Sequence, residues 1–298
     1  MTSAPGRKSM PATAAKAWPA PAKLNLFLHI VGRRPDGYHE LQTCFQFIDL
    51  CDEITIEVRP DGRIRRVVEI AEVAEDADLC VRAACALQAA AACPLGADIS
   101  VLKRIPMGGG LGGGSSDAAT CLVALNHLWQ LHWPVDDLAA LGLKLGADVP
   151  VFVRGSAAWA EGIGERLTPL SPPLAPLEAN YLILKPNIGV STADVFRDVE
   201  LTRNSPPITI HGFLKSGGRN DCLGVVRRRY PEVARAFDWL AAYGPARLTG
   251  TGACVFLAVA TLDRGREILL ELPPMIDAFM ARGLNVSPLL ERLATGRA

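Results

Sequence analysis

Residues 106 to 116 read Pro-Met-Gly-Gly-Gly-Leu-Gly-Gly-Gly-Ser-Ser, and this run limits the fold more than any other stretch of the 298-residue chain. Six glycines and two serines in eleven positions exclude a strand or a helix interior. Glycine forfeits side-chain packing and costs roughly 1 kcal/mol per helix position against alanine. What such a run offers is bare backbone N–H groups that an anion can approach closely. The next residues, Asp117 to Trp129, carry apolar side chains at Leu122, Leu125 and Trp129 and read as a helix with Ser115 or Ser116 as N-cap. A glycine loop that opens onto a helix N-terminus is an anion site, because unpaired N–H groups and the helix dipole point the same way. Phosphate is the anion expected. The plainer alternative is a flexible linker, but a capped amphipathic helix follows the run directly.

Two common phosphate loops fit poorly. The P-loop needs a lysine right after its glycines, and here no lysine occurs between Arg104 and Lys144. The dinucleotide fingerprint G-x-G-x-x-G matches at Gly108, Gly110 and Gly113, but so glycine-rich a run satisfies almost any spacing. That fingerprint also wants an acid closing the next strand. Asp136 and Asp137 have the offset but follow Pro134 and open an apolar helical pattern.

The rest of the chain narrows the function classes. With 49% hydrophobic and 21% charged residues it can fill a large core. Net charge is zero, which argues against non-specific nucleic-acid binding. No run of 18 apolar residues predicts a membrane span. Residues 1–18 are rich in Ala, Pro and Ser, lack the apolar centre of a signal peptide, and read as a disordered extension. The eight cysteines form no C-x-x-C pair and no Cys/His metal spacing, so they predict small core residues in a reduced, cytoplasmic protein.

Along the chain, residues 20 to 31 predict a strand with Lys23, Asn25, Phe27 and His29 on one face. Thr43 to Ile48, Asp52 to Arg59 and Ala97 to Arg104 predict further strands, and Val81 to Ala92 and Asp136 to Lys144 predict helices. Val149 to Arg154 with Ser156 to Ala160 reads as a hairpin. The mixed order with hairpin-linked strands predicts an α+β fold. The proline-rich stretch 168–176 reads as a linker, so we expect an N-terminal domain over 19–168 and a C-terminal domain over 169–298. In the latter, Tyr181 to Lys185 and 253 to 260 predict strands; 191 to 197, 231 to 243, and 265 to 271 with 275 to 282 predict helix. Arg247 to Phe256 is a second glycine loop running into a strand.

Phosphoryl transfer asks mainly for positioned positive charge and a located nucleophile. The loop residues Pro106, Met107, Gly108, Gly109, Gly110, Leu111, Gly112, Gly113, Gly114, Ser115 and Ser116, with Lys103 just before them, are the candidate triphosphate site. Ser115 and Ser116 are also candidates to place a hydroxyl on Mg²⁺; simple capping is the alternative. Asp148 stands outside any periodic pattern, before an apolar run; a turn aspartate bonding its own backbone is the alternative. Lys23 lies in an otherwise apolar strand, where a lysine is commonly a solvated edge charge.

Three blocks, Pro21-Ala-Lys-Leu-Asn-Leu, Pro106 to Ser116, and Leu248-Thr-Gly-Thr-Gly-Ala, resemble the motifs of the GHMP kinases in the expected order. Arg34-Pro-Asp-Gly-Tyr-His-Glu-Leu-Gln-Thr and Leu145-Gly-Ala-Asp-Val-Pro-Val-Phe narrow the resemblance to the branch acting on a cytidylyl-linked polyol. The resemblance implies a two-domain α+β kinase, with a ribosomal S5 domain 2-like N-terminal domain and a ferredoxin-like C-terminal domain. It implies ATP and Mg²⁺, and phosphorylation of the small molecule 4-diphosphocytidyl-2-C-methyl-D-erythritol on the non-mevalonate route to isoprenoid precursors. A monomer or homodimer without nucleic-acid or membrane partners is implied too. On this resemblance Lys23 and Asp148 are the catalytic pair. Tyr38 and Phe196 sandwich the cytosine, His39 bonds its edge, Asn25 contacts substrate, and Gly250 and Gly252 lie close to substrate. Rival readings are another small-molecule kinase of the superfamily, an NAD-dependent oxidoreductase, or a non-catalytic binding module on the same fold.

Overall fold

The structure, a computed structural model, describes residues 17–69 and 73–295. The extension expected over 1–18 therefore lies outside the described residues except at its end. There it needs correction: Trp18 is only 3% exposed and opens the first strand. Ten strands occur among the described residues: β1 (Trp18–Arg33), β2 (His39–Arg59), β3 (Ile64–Arg66), β4 (Gly96–Leu102), β5 (Ala158–Gly162), β6 (Arg166–Pro169), β7 (Asn180–Pro186), β8 (Arg247–Leu248), β9 (Val255–Val259) and β10 (Ile276–Leu284). The helices are α1 (Leu79–Ala91), α2 (Gly113–Leu128), α3 (Val135–Leu143), α4 (Val149–Arg154), α5 (Thr192–Arg197), α6 (Ile210–Ser216), α7 (Leu223–Arg229), α8 (Pro231–Ala241), α9 (Leu262–Leu269) and α10 (Pro288–Thr295).

The mixed, largely antiparallel arrangement is the α+β fold expected. Strand β2 is its spine. It pairs antiparallel with β1 from His39 to Ile54, and its other edge takes β5 at Leu41 to Phe45 and β4 at Glu53 to Arg59. Strand β1 is buried throughout from Ala20 to Ile30, so both of its faces are covered, and its polar residues lie inside the protein instead of on a solvated face. One apolar cluster joins α1 to α4 with the strands of the first half; another holds α7, α8 and α9 on β7 and β9. A third, including Phe27, Trp159, Phe213 and Phe256, fills the join between them.

Two element expectations fail. Val149–Arg154 is the helix α4, not a strand, and the hairpin forms instead between β5 and β6. Five consecutive buried residues, Val149 to Val153, leave no polar face; periodicity cannot then tell a strand from a buried helix. Residues 276–284 form β10, not helix. It pairs with β7 from Ile276 to Arg282 and then with β2 at Gly283 and Leu284. Ala and Met favour helix locally, but two waiting strand edges override that preference. Through β10 the two halves share one sheet, in the order β3-β4-β2-β10-β7-β9-β8. The proline-rich stretch is also packed down: Leu170 is buried in the join and its N–H donates to Ala157 O at 2.8 Å.

Candidate active site

The glycine run lies between two cavities. Helix α2 begins at Gly113 with Gly112 as N-cap, in the left-handed region at φ 75° and without a side-chain cap. The sequence reading placed the cap at Ser115 or Ser116; both sit inside the first turn instead. The difference matters, because a cap with no side chain leaves the first N–H groups of α2 free for an outside anion. A side chain at Gly112 would stand 2.8 Å from Phe152 and 3.0 Å from Lys23 Cε. Gly110 is tighter still. At φ 74° its added Cβ would overlap the Thr249 carbonyl oxygen and lie 2.9 Å from that of Gly252. The two glycine loops are tied directly: Ala253 N donates to Gly108 O and Cys254 N to Gly109 O, both at 3.1 Å.

On one side of the run is a cavity of about 410 Å³, lined by Pro106 to Ser115 with Lys103, Asp78, Leu79 and Asp117. Lys103 Nζ donates to Asp52 Oδ2 at 2.5 Å and to Asp117 Oδ2 at 2.6 Å. Asp52 also accepts the backbone N–H groups of Arg104 and Ile105, which fixes the chain as it enters the glycine loop. Two buried carboxylates thus share one ammonium. Burial works against the Lys103 charge, but Asp117 and Asp52 outweigh it and hold its pKa above the ordinary value. Burial, reinforced by the nearby Asp52 charge against the pull of Lys103, raises Asp117 to about 7.

On the other side is a cavity of about 380 Å³ lined by Lys23, Asn25, Thr43, Gly110, Gly112, Asp148 and Gly250, among others. Lys23 is buried, with its ammonium wholly engaged. It donates to Asn25 Oδ1 at 2.5 Å and Gly110 O at 3.0 Å, and Asp148 Oδ2 lies 3.4 Å away. A buried ammonium needs such partners to offset its desolvation. Asp148, the residue before α4, keeps its side chain a third exposed and so reaches the cavity. Asn25 is held by Thr43 Oγ1 at 3.0 Å. Ser115 borders both cavities, while Ser116 is fully buried and borders neither. Ser116 therefore does not fit the triphosphate and metal roles expected for it, and Ser115 does.

A third cavity, of about 570 Å³, continues the second one outward; the two share Leu41, Ala147, Ile163, Thr192 and Phe196. Tyr38, His39 and Phe196 all line it. Tyr38 is 60% exposed. The His39 and Phe196 rings lie 5.1 Å apart and 30° from parallel. Burial first, then the charges of Arg203 and Arg33, lower the His39 pKa below 6.5 and favour the neutral ring. Gly250 lines the second cavity, whereas Gly252 packs behind it, where a Cβ would meet Leu248 and Val190.

Residues 78–156 match the model of the GHMP kinases N terminal domain, and residues 210–274 that of the GHMP kinases C terminal domain. A Pseudomonas aeruginosa (strain LESB58) protein named 4-diphosphocytidyl-2-C-methyl-D-erythritol kinase is 56% identical over 277 residues, covering 93% of this chain and 97% of that relative. The chain belongs to the GHMP kinases. A Shewanella denitrificans relative of the same name is 54% identical over 280 residues, 94% of this chain and 97% of the relative. A crystal structure of 4-(cytidine 5'-diphospho)-2C-methyl-D-erythritol kinase superposes with a TM-score of 0.78 at 32% identity, covering 90% of this chain and 98% of that one. The kinase uses ATP, as the resemblance implied. None of its described helices is long and apolar enough to cross a membrane.

Several residues that support this kinase's site escaped the sequence reading. Thr249 is fully buried; its hydroxyl accepts from Asn25 N at 3.0 Å and donates to Gly110 O at 3.3 Å, joining all three motif blocks. It lay inside a quoted motif, so its signal was present. Asn220 donates to Leu248 O and Gly250 O and holds the second glycine loop. Asp52 and Asn220 had no local signal, since their roles exist only across sequence distance.

Proposed function

We propose that this kinase transfers the γ-phosphate of ATP to the 2-hydroxyl of 4-diphosphocytidyl-2-C-methyl-D-erythritol, giving the 2-phosphate and ADP. The observation that carries this reading is the line of three spaces with Lys23 and Asp148 in the middle one. The triphosphate occupies the first space, against the free N–H groups of the glycine run and α2. The acceptor hydroxyl lies beside Asp148, and the cytosine reaches the third space between Tyr38 and Phe196, with His39 at its edge. Asn25 and Gly250 line the path of the polyol. The hydroxyl oxygen forms the new bond to the γ-phosphorus as the bond to the β-phosphate oxygen breaks, and ADP leaves with that electron pair. Asp148 orients the hydroxyl and accepts its proton. Lys23 places positive charge beside the group in transfer while holding Asp148 in place. In so loose a transition state, positioning and charge outweigh basicity.

Mg²⁺ suits a hard oxygen site that completes its shell with substrate phosphates. Ser115, which lines both spaces, and Asp148 are the residues of this chain that fit it. Among the described residues no group of three His, Cys, Asp or Glu side chains forms a ready-made cage. When bound, the ion would offset phosphate charge. The domain boundary near 168 follows from the same reading, with substrate and nucleotide meeting where the halves join, and the cytoplasm is the compartment it fits.

The test is ADP release with ATP and Mg²⁺ and three acceptors in turn: the cytidylyl compound, mevalonate and homoserine. Turnover with the first alone is expected. Turnover with either of the others instead would overturn the substrate and leave the family standing.

A further inference from the structure

Arg203 lies in the irregular segment after α5, and nothing in its local sequence marks it as functional. Its guanidinium nevertheless makes four bonds around the outer cavity. Nε donates to His39 Nε2 at 3.0 Å, and Nη1 to Leu201 O at 3.1 Å. Nη2 donates to Phe196 O at 3.1 Å and to Asp198 O at 2.7 Å. A guanidinium has only donors, so the His39 nitrogen facing it must be an acceptor. The proton of the neutral ring then belongs on Nδ1, the one nitrogen left to act on a ligand. The same guanidinium holds the backbone at the end of α5, from which Phe196 projects against the His39 ring.

We propose that Arg203 is a positioning and specificity-determining residue: it fixes His39 as an Nδ1–H donor toward the bound base and locks the Phe196 wall beside it. This rests on the reading of the outer cavity as the cytosine pocket. It assigns that pocket a donor, which suits the acceptor atoms on the edge of a pyrimidine. The edge donor His39 and the Phe196 wall both depend on one side chain, so its loss should loosen base binding without touching the phosphate end.

The charged surroundings leave Arg203 in control of the ring. Arg33 pairs opposite His39 across β1 and β2, and Asp36 and Arg197 line the same cavity. The nearby carboxylates are engaged elsewhere: Asp36 with Arg34, Glu40 with Arg166, Glu161 with Gln42, and Asp198 with Arg228 and Arg229.

The experiment is nitrogen-resolved NMR of the imidazoles in the full-length free enzyme, with His39 assigned by its loss in His39→Gln. It is paired with steady-state kinetics of Arg203→Met and Arg203→Lys. The parent should show the Nδ1–H tautomer at His39, and both variants a mixture, because a lysine cannot span the four acceptors. KM for the cytidylyl substrate should rise about 10-fold, the worth of one good hydrogen bond, with KM for ATP unchanged. The same spectra, followed as pH falls, should show the His39 imidazole protonating at higher pH in Arg203→Met than in the parent, because the guanidinium that opposes its charge is gone. An Nε2–H tautomer in the parent would overturn the proposal even if no variant folded. Unchanged tautomer and unchanged KM in the variants would overturn it too. A parent that ignores the cytidylyl compound yet shows the expected tautomers would remove the substrate reading and leave the control of His39 by Arg203 in place.

Discussion

Lys23 and Asp148 divide the work through their unequal exposure. Lys23 is buried with every donor occupied, so it is a fixed charge. Asp148 reaches the cavity and is the one of the pair that a hydroxyl can approach. Asp148→Asn should keep the fold and ATP binding but lower kcat by roughly 10²-fold or more, the range for a lost proton acceptor. Single-turnover kinetics would measure it, and near-normal turnover would remove Asp148 from the mechanism. Tyr38 is exposed at the rim of the outer cavity with no core role. Tyr38→Ala should therefore leave the unfolding midpoint unchanged while raising KM for the cytidylyl substrate by about 1–3 kcal/mol, taking base–aromatic stacking as the guide. An unchanged KM would assign Tyr38 no part in binding.

At the scale of elements, the glycine run acts with the second glycine loop and α2 as one piece. Gly110 has no room for a methyl group against Thr249 and Gly252, and its φ is positive. Gly110→Ala should push the loops apart, weakening ATP binding and costing about 1–3 kcal/mol of stability; isothermal titration and urea melts would read both. The start of α2 also titrates. The folded chain holds a proton on Asp117 up to about 7, against an ordinary value of 3.8. Between those values the unfolded chain has already released it. The folded state therefore loses stability as pH rises through that window, and the effect is complete above about 7. Asp117→Asn has no such proton, so its stability relative to the parent should rise between pH 5 and pH 8. A constant gap would mean that Asp117 is ionised throughout.

At the scale of the whole molecule, the chain closes on itself. After β10 links the halves, α10 returns to the first half, where Leu289 is fully buried among its helices and Arg292 lies 4.4 Å over the Trp18 ring. Helix α10 (Pro288–Thr295) thus completes the core that the first strand begins, although the sequence reading assigned it to the second domain. Leu289→Ala should cost about 2–5 kcal/mol, seen as a lower urea midpoint in tryptophan fluorescence, to which Trp18, Trp129, Trp133 and Trp159 contribute from the first half. A midpoint shift confined to signals from the second half would count against this closure.

The sequence alone determined those features whose physics is local. The glycine run cannot be regular structure, the α2 pattern has one period, and the three motif blocks carry the family. Lys23, Asn25, Asp148, Tyr38, His39 and Phe196 were legible as a group only through that resemblance, because each by itself had an ordinary reading in its own segment. Tertiary structure decided the rest. Residues 149–154 and 276–284 have weak or two-sided local preferences, so their neighbours chose helix and strand for them. Which serine faces the cavities depended on where Gly112 turns the chain into α2. Asp52 holds Lys103 and Arg203 holds His39, partners 51 and 164 positions away. A hydrogen bond across such a distance has no signature in the segments that make it, because it exists only once the sheet has brought them together.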